Sequence, residues 1–416
     1  VGARVARLLV EEGARLAERA GRPIVLSAVS AREKRRARGV DLSNIAWCDD
    51  PVSLAARSDV DVVVELMGGA EGPARALVTA ALEAGKHVVT ANKALIAHHG
   101  TALAAMAEAR GLAFNYEAAV AGGLPVIKTL REALIANRVT KLYGILNGTC
   151  NFILSEMSET ARPFAEVLAQ AQALGYAEAD PSFDIEGTDA AHKLAILASL
   201  AFGTAVDFAA VHTEGITAIT PFDIEAAREL RFAIRLLAIG EAVGTRIRCL
   251  VHPALVPLGT PLADVSGAFN AVVIEADPLG KLVIEGPGAG AGPTASAVLS
   301  DLADIARGGR LPAFMRPTAS LSVAKPAPFA EREGSYYLRF TAVDRPGVIA
   351  EIARILADLS ISIESIIQRG RDPGAPVKVV MITHETQEAA MARALQRIAQ
   401  ANNVVEAPCM IRIEAF

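Results

Sequence analysis

Asp61–Asn92, DVVVELMGGAEGPARALVTAALEAGKHVVTAN, carries two apolar runs on either side of one helical stretch. Asp61–Met67 has the continuous apolar pattern of a buried strand and ends at Gly68-Gly69. Pro73–Gly85 reads as a helix, and His87–Thr90 as a second strand. Two buried strands joined by a helix make a parallel crossover. The alternation continues on both sides. Ile24–Val29 is an earlier strand. A helix runs from the Ala91-Asn92-Lys93 turn to about Arg110, and Leu112–Glu117 is the next strand. Short strands alternating with longer helices predict an α/β, doubly wound, Rossmann-type domain over residues 1–135. Such sheets bind ligands at the carboxyl ends of their strands.

The chain opens directly in a helix, Val1 to about Ala20, with Gly2 at its start. A dinucleotide-binding unit runs strand, G-x-G-x-x-G, helix. The expectation is that the sequence begins inside this motif. Gly2 is then its last glycine, which lets helix and strand pack closely, and the first strand is missing. A preceding extension ending in G-x-G-x-x is expected to raise NADPH affinity. The strand ending near Ser30 is followed by the basic run Arg32–Arg36. An Arg at that point suits a 2′-phosphate, where an acid would hold the ribose hydroxyl. Arg32 therefore leans towards NADP, with NAD open and a solvated basic loop as the plain account.

Residues 136–323 change character to mixed α+β. Leu142–Leu146, Arg246–Val256, Gly267–Glu275 and Lys281–Glu285 are strand-like, and Pro163–Leu174 is helical. Within this region Leu174–Gly203 stands out. It packs Glu178, Asp180, Asp184, Glu186 and Asp189 ahead of an apolar helix. Asp189 and Lys193 are four apart and share one helical face. That pair suits either a surface ion pair or a substrate clamp with a proton donor. Glu117–Pro125, with Gly122-Gly123, allows close backbone approach. One carboxylate plus exposed carbonyls also suits a monovalent cation, and a tight turn explains the same residues. Gly286–Thr294 is glycine-rich ahead of a helix, Ala295–Arg307. The stretch 293–310 is expected to return to the first domain, its N-terminus aimed at an anion.

Ala324–Gly334 is rich in Pro and charge and reads as a linker. Residues 335–416 then alternate as βαββαβ, a ferredoxin-like unit. Aromatic residues make up only 5% of the chain, so the cores must be built from Ala, Val, Leu and Ile. A net charge of −5 gives no basic footprint for nucleic acid or an anionic membrane. The four cysteines, Cys48, Cys150, Cys249 and Cys409, show no metal spacing, which fits a reducing cytoplasm.

Five motifs in order carry a resemblance. They are Thr90-Ala91-Asn92-Lys93, Asn147-Gly148-Thr149, Gly175-Tyr176-x-Glu178-x-Asp180-Pro181, Asp189-x-x-x-Lys193 and Gly288–Ala295. Together they resemble homoserine dehydrogenase across the chain. The last unit, with its Asp344-Arg345-Pro346-Gly347 turn, resembles an ACT domain. The resemblance implies NAD(P)H-dependent reduction of L-aspartate 4-semialdehyde to L-homoserine, towards threonine, methionine and isoleucine. It implies Lys193 as proton donor, with Asp189 holding both substrate and lysine. It implies Glu178 at the substrate's polar end and Lys93 as a second catalytic lysine near the nicotinamide, sharing the proton-transfer or substrate role. Gly175 and Gly290 match backbone positions near cofactor and substrate. Glu117 and the carbonyls of Val120, Gly122 and Leu124 match a structural sodium site. A homodimer or homotetramer is implied, with threonine as a candidate effector at the ACT unit. His192 reads as a packed histidine, and Asp180, Asp184 and Glu186 as supporting acids. Two other readings stay open: a non-catalytic amino-acid sensor on a decayed scaffold, and another two-domain dehydrogenase.

Overall fold

The computed structural model describes residues 1–368 and 374–416. Helix α1 (Gly2–Glu11) is followed by α2 (Gly13–Ala20). The single helix expected over Val1–Ala20 is two, because Glu12 leaves helical geometry (φ −114°, ψ 11°) just before Gly13, a poor helix former. Strand β1 is Ala28–Val29, parallel to β2 (Ala46–Trp47). The longer buried strand expected from Ile24 does not pair before Ala28, and Val25 is 75% exposed. A second parallel sheet has the order β3 (Val62–Glu65), β4 (His87–Thr90), β5 (Phe114–Asn115), with Val62 opposite His87 and Val88 opposite Phe114. Helix α3 (Pro73–Glu83) joins β3 to β4, and α4 (Lys93–Glu108) joins β4 to β5. The crossover read from Asp61–Asn92 is therefore present. On α3, Leu77, Val78, Ala81 and Leu82 form the i, i+4 stripe that faces the core.

A buried turn leads to α5 (Val126–Lys128) and then β6 (Arg138–Ile145), the first strand of the large sheet. Helices α6 (Gly148–Thr160), α7 (Phe164–Ala173), α8 (Ser182–Ile185) and α9 (Thr188–Phe202) follow. Every residue of α9 from Asp189 to Leu200 is buried, the polar Asp189, His192 and Lys193 of its first turns together with the mostly apolar residues that follow. Next come β7 (Val211–Thr213), α10 (Pro221–Glu229), the hairpin β8 (Phe232–Val243) and β9 (Arg246–Pro257), α11 (Pro261–Asp264), and the hairpin β10 (Phe269–Asp277) and β11 (Gly280–Pro287). Gly144 of β6 lies opposite Val272, where a Cβ would run into the Ala271 carbonyl oxygen. Helix α12 (Ala291–Ala306) packs Ala295, Val298 and Leu302 against Val5, Leu9 and Val89.

The C-terminal unit is β12 (Glu333–Val343), α13 (Val348–Asp358), β13 (Ile363–Gln368), β14 (Pro376–Thr383), the short β15 (Thr386–Gln387), α14 (Glu388–Ala399) and β16 (Cys409–Ile413). Its antiparallel order β16-β12-β14-β13 is ferredoxin-like. It shares a sheet with its neighbour. β16 pairs in parallel with β9, Arg412 opposite Ala254, so one sheet runs β11-β10-β6-β8-β9-β16-β12-β14-β13. The segment 324–334, expected as a linker, is built into the structure. Ile247 N–H donates to the Lys325 carbonyl (2.9 Å) and Ala327 N–H to the Ile247 carbonyl (2.8 Å). Phe329 stacks on His212 at 3.8 Å, and Arg332 is buried. Among the described residues no helix is long and apolar enough to cross a membrane.

Candidate active site

Gly187, at φ 86°, ends the acidic loop and starts α9. Asp189 thereby falls in the first turn and Lys193 one turn on, both buried and on one face. Lys193 Nζ donates to Asp189 Oδ2 (2.7 Å) and to the Leu146 carbonyl (2.6 Å). Lys93, first residue of α4 at the carboxyl end of β4, reaches Asp189 Oδ1 at 2.8 Å. One carboxylate therefore bridges two ammonium groups. Asn147 completes the cluster. Its Oδ1 caps α6 through Cys150 N–H (2.7 Å), while its Nδ2 donates to Asp189 Oδ2 (2.7 Å) and Asp184 Oδ1 (2.8 Å).

Burial opposes charge on Asp189, but Lys193 and Lys93 outweigh it and hold the carboxyl far below the usual range. Burial pulls Lys193 below the ordinary lysine value of 10.5, against the attraction of Asp189. Lys93 loses some stabilisation to burial, yet Asp189 leaves it raised. Burial, then Asp189, raises Asp184. The site thus holds Lys193, a stronger acid than an ordinary lysine, beside Lys93, which keeps its charge.

The remaining expected residues stand as follows. Glu178 is exposed at the rim, where its charge acts on Lys93 across space. The acid drawn into the cluster is instead Asp184, read from sequence as a supporting residue. Gly175 (φ 78°) closes α7 as a left-handed cap. Tyr176 N–H bonds the Ala171 carbonyl (2.8 Å) and Gly175 N–H the Gln172 carbonyl (3.1 Å). Gly290 (φ 115°) is the N-cap of α12. A Cβ at Gly2 would lie 3.8 Å from Leu66 Cδ1, an ordinary contact distance. Arg32 is exposed in the basic loop after β1. That loop is ordered by Arg38, which bonds the Glu33 and Arg36 carbonyls and lies 5.3 Å from the Trp47 ring.

The loops at the carboxyl ends of β3 and β4 are fixed by Glu65, which sequence reasoning missed. Its buried carboxylate accepts Met67 N–H (2.6 Å), Gly68 N–H (3.1 Å) and the Thr90 hydroxyl (2.7 Å). An acid closing an apolar strand was the available signal.

Glu117, Val120, Gly122 and Leu124 share one buried turn. The Glu117 carboxylate already accepts Ile127 N–H (3.0 Å) and Lys128 N–H (2.7 Å), and the Leu124 carbonyl accepts Val126 N–H (2.8 Å). Glu117 N–H bonds Asp301 Oδ2 (2.9 Å), while Asp301 Oδ1 is buried without a hydrogen bond. Burial and then Asp301 push Glu117 up to about 7. Lys128 Nζ lies 3.7 Å from Asp301 Oδ1 and also pairs with Asp304, so a lysine already faces these acids, and a monovalent cation here would add to it. Among the described residues no group of three His, Cys, Asp or Glu side chains could hold a metal, so such an ion would rest mainly on carbonyls.

Comparison with known proteins agrees across the chain. Family models match in three segments: homoserine dehydrogenase, NAD binding domain, at 1–117; homoserine dehydrogenase at 125–303; and ACT domain at 336–403. Homoserine dehydrogenase of Neisseria gonorrhoeae is 45% identical, covering 100% of this chain and 97% of its own. That of Pseudomonas aeruginosa is 43% identical, covering 100% and 96%. The crystal structure of a homoserine dehydrogenase from Thiobacillus denitrificans matches with a TM-score of 0.93 at 43% identity, covering 100% of this chain and 96% of that one. A hyperthermophilic archaeal homoserine dehydrogenase in complex with NADPH matches at TM-score 0.62 and 27% identity, over 73% of this chain and 93% of its own.

Proposed function

The chain belongs to the homoserine dehydrogenase family, whose reaction reduces L-aspartate 4-semialdehyde to L-homoserine with a nicotinamide cofactor, and from this premise we propose how its own residues carry that reaction. The bound nicotinamide supplies the hydride. Lys193 gives the proton to the aldehyde oxygen as charge develops there, an effect worth about 10²–10⁴ in rate. Asp189 holds Lys193 and Lys93 in one geometry and keeps both charged before the reaction. Lys93 stands on the cofactor side and draws the carbonyl oxygen towards the pair. The acidic rim, with Glu178 and the Gly175 turn, receives the substrate's ammonium group.

The single observation carrying this reading is the Asp189 carboxylate bridging Lys93 and Lys193 at 2.8 and 2.7 Å. The sensor reading has nothing in its favour, since the complete cluster is assembled. Lys193→Ala is expected to cut kcat by about 10²–10⁴ in an NADPH-oxidation assay. An unchanged kcat overturns the assignment.

Finer points extend the same reading. Arg32 selects NADP through its 2′-phosphate, with the pyrophosphate at the α1 N-terminus near Gly2 and the Gly290 turn close to the cofactor. A lower KM for NADPH than for NADH, lost in Arg32→Glu, supports this. Sodium is held by the turn of Glu117, Val120, Gly122 and Leu124 and braces the junction of the two domains. Threonine binds the ACT domain, where Gly347 (φ 93°) opens α13. The open edge strands β11 and β13 support a homodimer or homotetramer. The composition and free cysteines support a cytoplasmic site of action.

A further inference from the structure

Glu214 lies outside the catalytic cluster, just beyond β7, yet it joins two parts of the molecule. Its carboxylate forms a fork with Arg412 of β16: Oε2 to Nη1 at 2.7 Å and Oε1 to Nη2 at 2.8 Å. His212 Nε2 lies 2.8 Å from Oε1. Arg412 is buried and also grips Glu388 of α14 through Nη2 (2.6 Å) and Nε (3.1 Å). One guanidinium of the ACT domain thus spans an acid of its own domain and an acid of the substrate domain. Such paired forks are geometrically demanding and stiff.

The backbone next to Glu214 carries the acidic loop. Glu214 N–H is anchored on the Val251 carbonyl at 2.7 Å. Two residues on, Ile216 N–H donates to the Ile185 carbonyl of α8 at 2.9 Å. There is no spare room between the layers. A Cβ at Gly187 would lie 3.0 Å from Thr213 Cγ2 and 3.3 Å from the Glu214 carbonyl, and a Cβ at Gly215 would run into the Ile185 carbonyl. The supported loop holds Asp184, bonded to Asn147, and leads straight into Asp189.

We propose that Glu214 is a positioning residue for the substrate loop, and that Arg412 of the ACT domain holds it in register. The ribbon 213–216 is then a rigid shelf under Ser182–Gly187. Removing the fork lets shelf and loop move together, which weakens the grip on the substrate while leaving cofactor binding and proton donation in place. The same link gives the ACT domain direct mechanical access to the substrate site.

Glu214→Gln is the test, because Arg412 keeps Glu388 and the buried charge stays paired. The expected result is a KM for aspartate semialdehyde raised by about tenfold, with KM for NADPH and kcat within about twofold. Amide exchange at Ile216 and along α8 is expected to quicken in the same variant. Glu214→Asp, which keeps the charge but shortens the reach, is the second variant should the first fail to fold, and it is expected to show the same split. A lower melting temperature with both KM values unchanged overturns the proposal, as does a uniform loss of kcat. The inference rests on the acidic loop being the substrate site, and Glu178→Gln tests that separately. Unchanged KM in Glu178→Gln points to a failure of that underlying reading. A raised KM there with no change in Glu214→Gln condemns only the shelf.

Discussion

Lys193 and Asp189 set the sign of the enzyme's pH dependence. Lys193 must be protonated to reduce the aldehyde and neutral to accept a proton from homoserine. Burial lowers its pKa from 10.5. Reduction is therefore expected to fall as pH rises through a value below 10.5, and homoserine oxidation to rise over the same range. Initial rates in both directions across pH check this, and parallel limbs count against Lys193. His192 gives a prediction on stability. It is buried, its Nε2 is 3.2 Å from His98 Nε2, and its Nδ1 has no hydrogen-bond partner among the described residues. Burial and then His98 lower it from 6.5 to about 4. A lowered folded pKa means stability present above pH 6.5 and lost as pH falls towards 4. His192→Phe is expected to flatten that part of a melting-temperature profile, and an unchanged slope refutes it. At this scale the sequence was legible wherever spacing implied a shared face, as at Asp189 and Lys193. It was silent on Asn147 as a bridge and on Glu65 as a loop anchor, because both act across tertiary contacts between distant segments.

At the scale of elements, α10 was absent from the sequence reading although it carries a clear start signal. Thr220 and Asp223 form a reciprocal capping box with Pro221 between them. Asp223 does more than cap. Its Oδ1 accepts Arg339 Nε (2.6 Å) and the Tyr337 hydroxyl (3.0 Å), both from β12. Asp223→Ala strips the cap and leaves a buried Arg339 unpaired, at a cost of about 3–5 kcal/mol. Urea unfolding measures it, and a loss near that of a surface cap alone argues against the buried pair. Strand β8 was missed for another reason. Phe232–Val243 mixes Ala, Leu and Arg with an apolar run and has no clean alternation. Its state is set by position, since it lies between β6 and β9 and is covered on both faces. In the first domain β3 and β4 were legible as short apolar runs bounded by glycine, while β2 at Ala46–Trp47, only two residues long, was missed.

For the whole molecule, the main revision concerns modularity. Pro and charge in 324–334 suggested a tether, but Phe329 and Arg332 show that the same residues can pack. The ACT unit shares a sheet with the catalytic region and neutralises Asp223 and Glu214 there. A chain ending at Val323 would leave both acids without their arginines and uncover β9 at Ala254 and Leu255. It is expected to melt lower and to aggregate on size exclusion, rather than behave as a desensitised enzyme. A monodisperse product with an unchanged melting temperature contradicts this.

The β9–β16 pairing also bears on biosynthesis. Arg412 leaves the ribosome roughly 160 residues after Ala254, its partner in the sheet, a delay on the order of ten seconds at typical elongation rates. Through that interval the nascent chain presents a hydrophobic strand whose edge is paired by β7 at Cys249–Val251 but unfilled at Ala254 and Leu255, and polysomes bring such edges close together. Synthesis of this protein is therefore most vulnerable to misassembly late, after the catalytic residues have emerged and before the closing strand arrives.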